Sequence, residues 1–109
     1  MRTIFTIGCA VALWITAVAP AAAADATIKL FQFQPNPIEV KAGTTVKWTN
    51  GDDIEHSVTA GAPGNESNAF DSGFFKKGGI FEFTFNEPGT YTYFCKRHNS
   101  MKATVTVTE

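Results

Sequence analysis

The sequence predicts an all-β fold, a Greek-key sandwich or barrel of about seven to eight strands. Three observations carry that prediction. Short runs of β-branched and aromatic residues recur with turn residues between them, as in Thr44–Asn50 (TTVKWTN) and Lys102–Thr108 (KATVTVT). Some alternate apolar with polar residues at a period of two, most clearly Phe81, Phe83 and Phe85 against Glu82 and Thr84. Beyond residue 24, no stretch sets apolar residues at the spacing of a helical face.

Residues 1–24 stand apart from that pattern. Arg2 precedes an apolar stretch that ends in Ala22-Ala23-Ala24, the pattern of a secretory leader cleaved before Asp25. The apolar run is shorter than the ~20 residues a spanning helix needs. A single domain over 25–109 is therefore expected, exported to a periplasm or secreted where there is none, with no membrane insertion.

Within that domain, Ala26–Phe33 is expected as the first strand, stopped by Pro35-Asn36-Pro37, and Ile38–Val40 continues it briefly. Ala42-Gly43 turns into Thr44–Asn50, and His56–Ala60 follows the polar Gly51-Asp52-Asp53 as another strand. Gly61–Asn68 (GAPGNESN) is expected as a loop, being built of turn residues. The Phe81–Phe85 strand turns at Pro88-Gly89 into Thr90–Cys95, and Lys102–Thr108 closes the domain. Trp48 and the phenylalanines are assigned to its core.

Composition narrows the function. The chain has 9 basic and 10 acidic residues; without Arg2 the balance is 8 to 10, a formal charge of −2, which argues against nucleic acid as a partner. Of two cysteines Cys9 lies in the leader, so the domain keeps Cys95 alone and forms no internal disulfide. A lone thiol in an oxidising compartment is prone to oxidation unless buried or ligated. Met1 lies in the leader as well, which leaves Met101, and the two histidines are His56 and His98.

Three of these four residues fall in one heptapeptide, Cys95–Met101 (CKRHNSM), between two expected strands. A tight end loop can turn all three side chains to one point. Thiolate, imidazole and thioether form a soft donor set that suits copper or zinc and not calcium or magnesium. The second imidazole can come only from His56. Two histidines and a cysteine with a weak axial methionine is the arrangement of a blue-copper electron-transfer site. A copper protein for sequestration or delivery would use the same ligands. A binding domain with zinc or with no metal is the third reading, although Met101 would be a poor zinc ligand. No open multi-copper arrangement or second residue cluster points to an enzyme.

The segments PNPIEVKAGTTVKWTN, DIEHSV and EPGTYTYFCKRHNSM resemble, in that order, signatures of the cupredoxins, in the plastocyanin/pseudoazurin/amicyanin group. The C-x-x-H-x-x-M spacing is similar to amicyanin's. The resemblance implies a monomer that passes single electrons between transient donor and acceptor proteins. His56, Cys95 and His98 would be its strong ligands, Met101 the axial one, and His98 the electron's doorway to solvent. It also implies that Asn50 ties the two ligand loops together and that Tyr91 forms a tyrosine corner. Lys96, Arg97, Asn99 and Ser100 separate the ligands, and Glu55 precedes His56, so a polar rim of mixed charge is expected. Lys96 and Arg97 would either steer an acidic partner or remain solvated.

Overall fold

A computed structural model describes residues 22–109, and the expected leader over 1–24 falls almost wholly outside them. Nine strands are present: β1 (Ala23–Lys29), β2 (Gln32–Gln34), β3 (Ile38–Lys41), β4 (Thr44–Asn50), β5 (Thr59–Ala62), β6 (Asn65–Asp71), β7 (Ile80–Phe85), β8 (Gly89–Phe94) and β9 (Lys102–Thr108). No helix occurs among the described residues. One sheet runs β2-β1-β4-β7 and the other β3-β9-β8-β5-β6. The pairs β1–β4 and β3–β9 are parallel and the rest antiparallel, the mixed pattern of crossing connections.

Period-two patterning explains the inner strands. β4 buries Thr44, Val46, Trp48 and Asn50 and leaves the residues between them half-exposed. β9 does the same with Ala103, Val105 and Val107. Trp48, fully buried, has its ring centroid 5.7 Å from Phe81, 5.5 Å from Tyr93 and 6.2 Å from Phe70. Its indole N–H donates to the Tyr93 hydroxyl at 3.2 Å, so the core carries no unpaired indole donor. Burial pushes the Tyr93 phenol up to about 12, against the smaller opposing effect of that bond. Removing an aromatic side chain from such a core costs about 3–5 kcal/mol.

Three expected elements differ. Ala26–Phe33 is not one strand: Lys29 pairs with Gln32, and Leu30 and Phe31 form a two-residue turn into β2, at φ 54° and 61°. Positive φ at both central residues is the type I′ hairpin geometry that usually calls for Asn-Gly. The left-handed conformation costs a residue with a side chain roughly 1–2 kcal/mol, so something must hold the turn. Gly61–Asn68 is not a loop: β5 and β6 form a hairpin there around Pro63 and Gly64. β6 lies at a sheet edge and buries only Phe70, which is why polarity disguised it. The hairpin's register shifts at Gly61, at φ 105°, where a Cβ would stand 2.6 Å from the Asn65 carbonyl oxygen. Finally, His56 sits in an isolated bridge to Phe75, and β5 begins only at Thr59.

The Tyr91 hydroxyl donates to the Glu87 carbonyl oxygen at 2.7 Å, the expected tyrosine corner at the start of β8. The end of β4, the end of β8 and the start of β9 set the ligand-bearing segments at one end of the sandwich.

Candidate metal centre

Cys95 lies one residue beyond β8, with Cys95–Met101 bridging to β9. That bridge is closed on itself: the Cys95 N–H donates to the Met101 carbonyl oxygen at 3.1 Å, and the Met101 N–H to the His98 carbonyl oxygen at 2.8 Å. His56 comes from the other segment, held by backbone bonds in both directions with Phe75, at 3.2 and 3.0 Å. His56 and Cys95 are fully buried, Met101 is nearly so, and His98 is half-buried.

The donors converge. Nδ1 of His56 and Nδ1 of His98 each stand 3.7 Å from Sγ of Cys95. All three ligand atoms lie within 4.8 Å of one another. Bonds of about 2.0 Å to nitrogen and 2.3 Å to sulfur, 120° apart around one ion, require an N···S separation of about 3.7 Å. The donor set and its spacing therefore fit a single thiolate- and imidazole-seeking ion. Burial, with the His56 ring and Arg97 beside it, pushes His98 below the ordinary imidazole value and favours the neutral ring a metal ligand needs. Met101 adds the thioether to the same loop.

Hydrogen bonds fix the donors from behind. The Ser57 N–H donates to Cys95 Sγ at 3.4 Å, and Ser57 Oγ accepts the Lys96 N–H at 2.9 Å. Ser57 Oγ also meets Thr59 Oγ1 at 2.9 Å, and Thr59 donates on to Asp71 at 3.1 Å. Asp71 in turn holds the Lys96 ammonium at 2.7 Å. The tie between ligand segments expected of Asn50 is thus made by Ser57. Asn50 Nδ2 donates instead to the carbonyl oxygens of Ile54 and Phe75, at 3.0 and 2.9 Å, and shapes the approach to His56. On the far side of His56, Nε2 meets the Asp52 carboxylate at 2.9 Å. Burial raises the Asp52 carboxyl, but the Phe31 amide, His56 and the Leu30 amide together hold it below the ordinary value.

The rim carries the expected polar residues of mixed charge, but its cations are paired and apolar surface adjoins it. Arg97 pairs with Glu55 at 3.4 Å, and Lys96 is engaged with Asp71 and Glu66, so neither is a free cation. Apolar surface comes from outside the ligand loop. The exposed large apolar residues among those described are Leu30, Phe31, Ile54, Phe74 and Ile80. All lie at this end: Leu30 and Phe31 just beyond Ile28, which pairs with Asn50; Ile54 and Phe74 beside the bridged His56 and Phe75; Ile80 opposite Thr49. The Phe31 ring stands edge-on to His98 at 4.8 Å and to His56 at 5.3 Å. Sequence reasoning missed Ser57, Asp52 and Phe31; only the position of Ser57 next to His56 offered a signal.

A two-sheet Greek-key sandwich with one thiolate and two imidazoles gathered at its end defines a mononuclear metal protein of the cupredoxin class. The sequence pattern of copper binding proteins of the plastocyanin/azurin family matches residues 20–108. Amicyanin-alpha of Methylorubrum extorquens is 34% identical over 90 residues, spanning 82% of this chain and 75% of its own. Plastocyanin of Dryopteris crassirhizoma is 33% identical, over 71% of this chain and 88% of its own. Among solved structures, a purple cupredoxin from Nitrosopumilus maritimus superposes with a TM-score of 0.73 at 31% identity, covering 78% of this chain and 99% of that one. A Cu(I) amicyanin variant gives a TM-score of 0.70 at 31% identity, covering 79% of this chain and 82% of that one. The chain belongs to the plastocyanin/azurin family of copper-binding proteins, and copper is its cofactor.

Proposed function

We propose that the protein is an exported one-electron carrier. His56, Cys95 and His98 would hold the copper, and the Met101 thioether would serve as a weaker fourth donor. The observation that carries this reading is the N···S spacing of 3.7 Å at both imidazoles, already set by packing and hydrogen bonds. Copper bound there supplies a Cu(I)/Cu(II) couple. Each residue has a part that follows from its surroundings. The Ser57 amide donates to the Cys95 sulfur and fixes its position toward the two imidazoles. The bonds that close the Cys95–Met101 loop and bridge His56 to Phe75 keep the donors from rearranging when the charge changes. His98 alone of the two imidazoles reaches the surface, and gives the electron its way out.

Donor and acceptor proteins would meet this end transiently, with the protein acting as a monomer. Because Lys96 and Arg97 are already paired, contact through the apolar collar around His98 is favoured over steering by a basic rim. The leader pattern of residues 1–24 supports export to a periplasm. Storage or delivery of copper is less well supported, since burial of His56 and Cys95 denies a receiving protein direct access to those donors.

The test is electron self-exchange between the Cu(I) and Cu(II) forms, measured from NMR line broadening. Fast exchange with copper retained is expected. Slow exchange, together with copper passing to a metal-free acceptor without change of valence, would favour delivery instead.

A further inference from the structure

The turn of Leu30 and Phe31 and the buried ligand His56 share one partner. Asp52 Oδ1 accepts the Leu30 N–H at 2.7 Å, and Oδ2 accepts both the Phe31 N–H at 2.9 Å and a bond from His56 Nε2 at 2.9 Å. Asp52 is itself placed by its own N–H, which donates to Asn50 Oδ1 at 2.8 Å, and it is buried. Leu30 and Phe31 are non-glycine residues in the left-handed region, with no local side chain that would favour it. The Phe31 ring stands perpendicular to both imidazoles and packs against each, and the two imidazole centroids are 5.0 Å apart.

We infer that Asp52 is a positioning residue that fixes His56 and, by the same carboxylate, clamps the strained Leu30–Phe31 turn so that Phe31 packs across both ligand rings. An ionised carboxylate only accepts hydrogen bonds, so His56 must donate from Nε2. Its Nδ1 is then left unprotonated, facing Cys95. Such outer partners orient a ligating imidazole and raise its basicity. The carboxylate also places a negative charge one ring away from the ion, which favours Cu(II) over Cu(I). An asparagine there has a single acceptor oxygen. It cannot serve all three donors, and its NH2 would oppose at least one of them.

The inference rests on His56 being a copper ligand, but two of its three readouts need no copper. In the metal-free protein, ring-nitrogen NMR should show His56 protonated at Nε2 and not at Nδ1. Amide hydrogen exchange at Leu30 or Phe31 should quicken at least tenfold in Asp52→Asn. In the copper-loaded protein, Asp52→Asn should raise the reduction potential, by about 59 mV for each tenfold loss of preference for Cu(II). Asp52→Glu keeps the charge while displacing the oxygens; it should move the potential less while still loosening the turn, and it serves if the asparagine variant does not fold. A wild-type His56 protonated at Nδ1 would overturn the inference. So would unchanged exchange at both amides with an unchanged potential. A wild type that takes up no copper would instead overturn the electron-carrier reading and leave the two metal-free readouts to decide the clamp.

Discussion

The amide of Ser57 donates to the sulfur of Cys95 across 3.4 Å, although 38 positions separate the two residues. The same residue accepts the Lys96 N–H through its hydroxyl, so one serine holds the cysteine from in front and from behind. It joins the segment carrying His56 to the segment carrying Cys95, His98 and Met101. The β5–β8 pairing, with Thr59 opposite Phe94, joins the same two segments through the backbone just beyond it.

Ser57→Ala should therefore weaken the fold without abolishing the site. The bond from the Ser57 amide to sulfur survives, while Lys96 N–H and Thr59 each lose a partner. A loss of about 1–2 kcal/mol in unfolding free energy is expected. Urea denaturation of the metal-free protein measures it, and a visible spectrum of similar intensity after copper loading checks that the ligands remain in place.

Asp71 links stability to pH. Burial raises its carboxyl, but Lys96, the Gly73 amide and Thr59 hold it below the ordinary 3.8. A group depressed in the folded state stabilises the protein above its unfolded value, and that contribution is lost as the pH falls through the folded value. Asp71→Asn should thus be less stable than wild type at pH 7, and the gap should close below pH 3.8. Both partners are more than a third exposed, so the gap at neutral pH should be about 1 kcal/mol or less. Urea midpoints at pH 7 and pH 3 measure it.

Tyr91→Phe removes the hydroxyl that donates to the Glu87 carbonyl oxygen at the start of β8. The expected cost is about 1 kcal/mol, read as a lower urea midpoint with an unchanged copper spectrum. A changed spectrum would mean that the corner also sets the register of the Cys95 loop.

Met101→Gln should lower the reduction potential while keeping the colour. An amide oxygen is a harder donor than a thioether and favours Cu(II). Cyclic voltammetry of both proteins measures the shift, and an unchanged potential would remove Met101 from the axial position.

Much of this architecture is legible in the sequence, and the rest is hidden for physical reasons. β4 and β9 are each buried on one face, so burial imprints a period of two on Thr44–Asn50 and Lys102–Thr108. Cys95, His98 and Met101 are visible because one short loop carries all three. β6 is hidden because an edge strand with a single buried side chain leaves no alternation to see. The Leu30–Phe31 turn is hidden because its stabiliser, Asp52, lies more than twenty positions away and the turn itself contains no turn residue. Asn50 and Ser57 both suit a tie between loops. Only the fold shows that Asn50 points toward Ile54 and Phe75 while Ser57 reaches Lys96. The apolar collar is invisible for a related reason: its residues come from four separate stretches of chain.

The most direct measurement is a titration of the metal-free protein with Cu(II), followed in the visible range beside Cys95→Ser. A thiolate held between two imidazoles should give an intense absorption band that saturates at one copper per chain and is absent from the serine variant. A wild type that stays colourless, or a serine variant that keeps the band, would contradict the assignment of Cys95, His56 and His98 to a common copper ion.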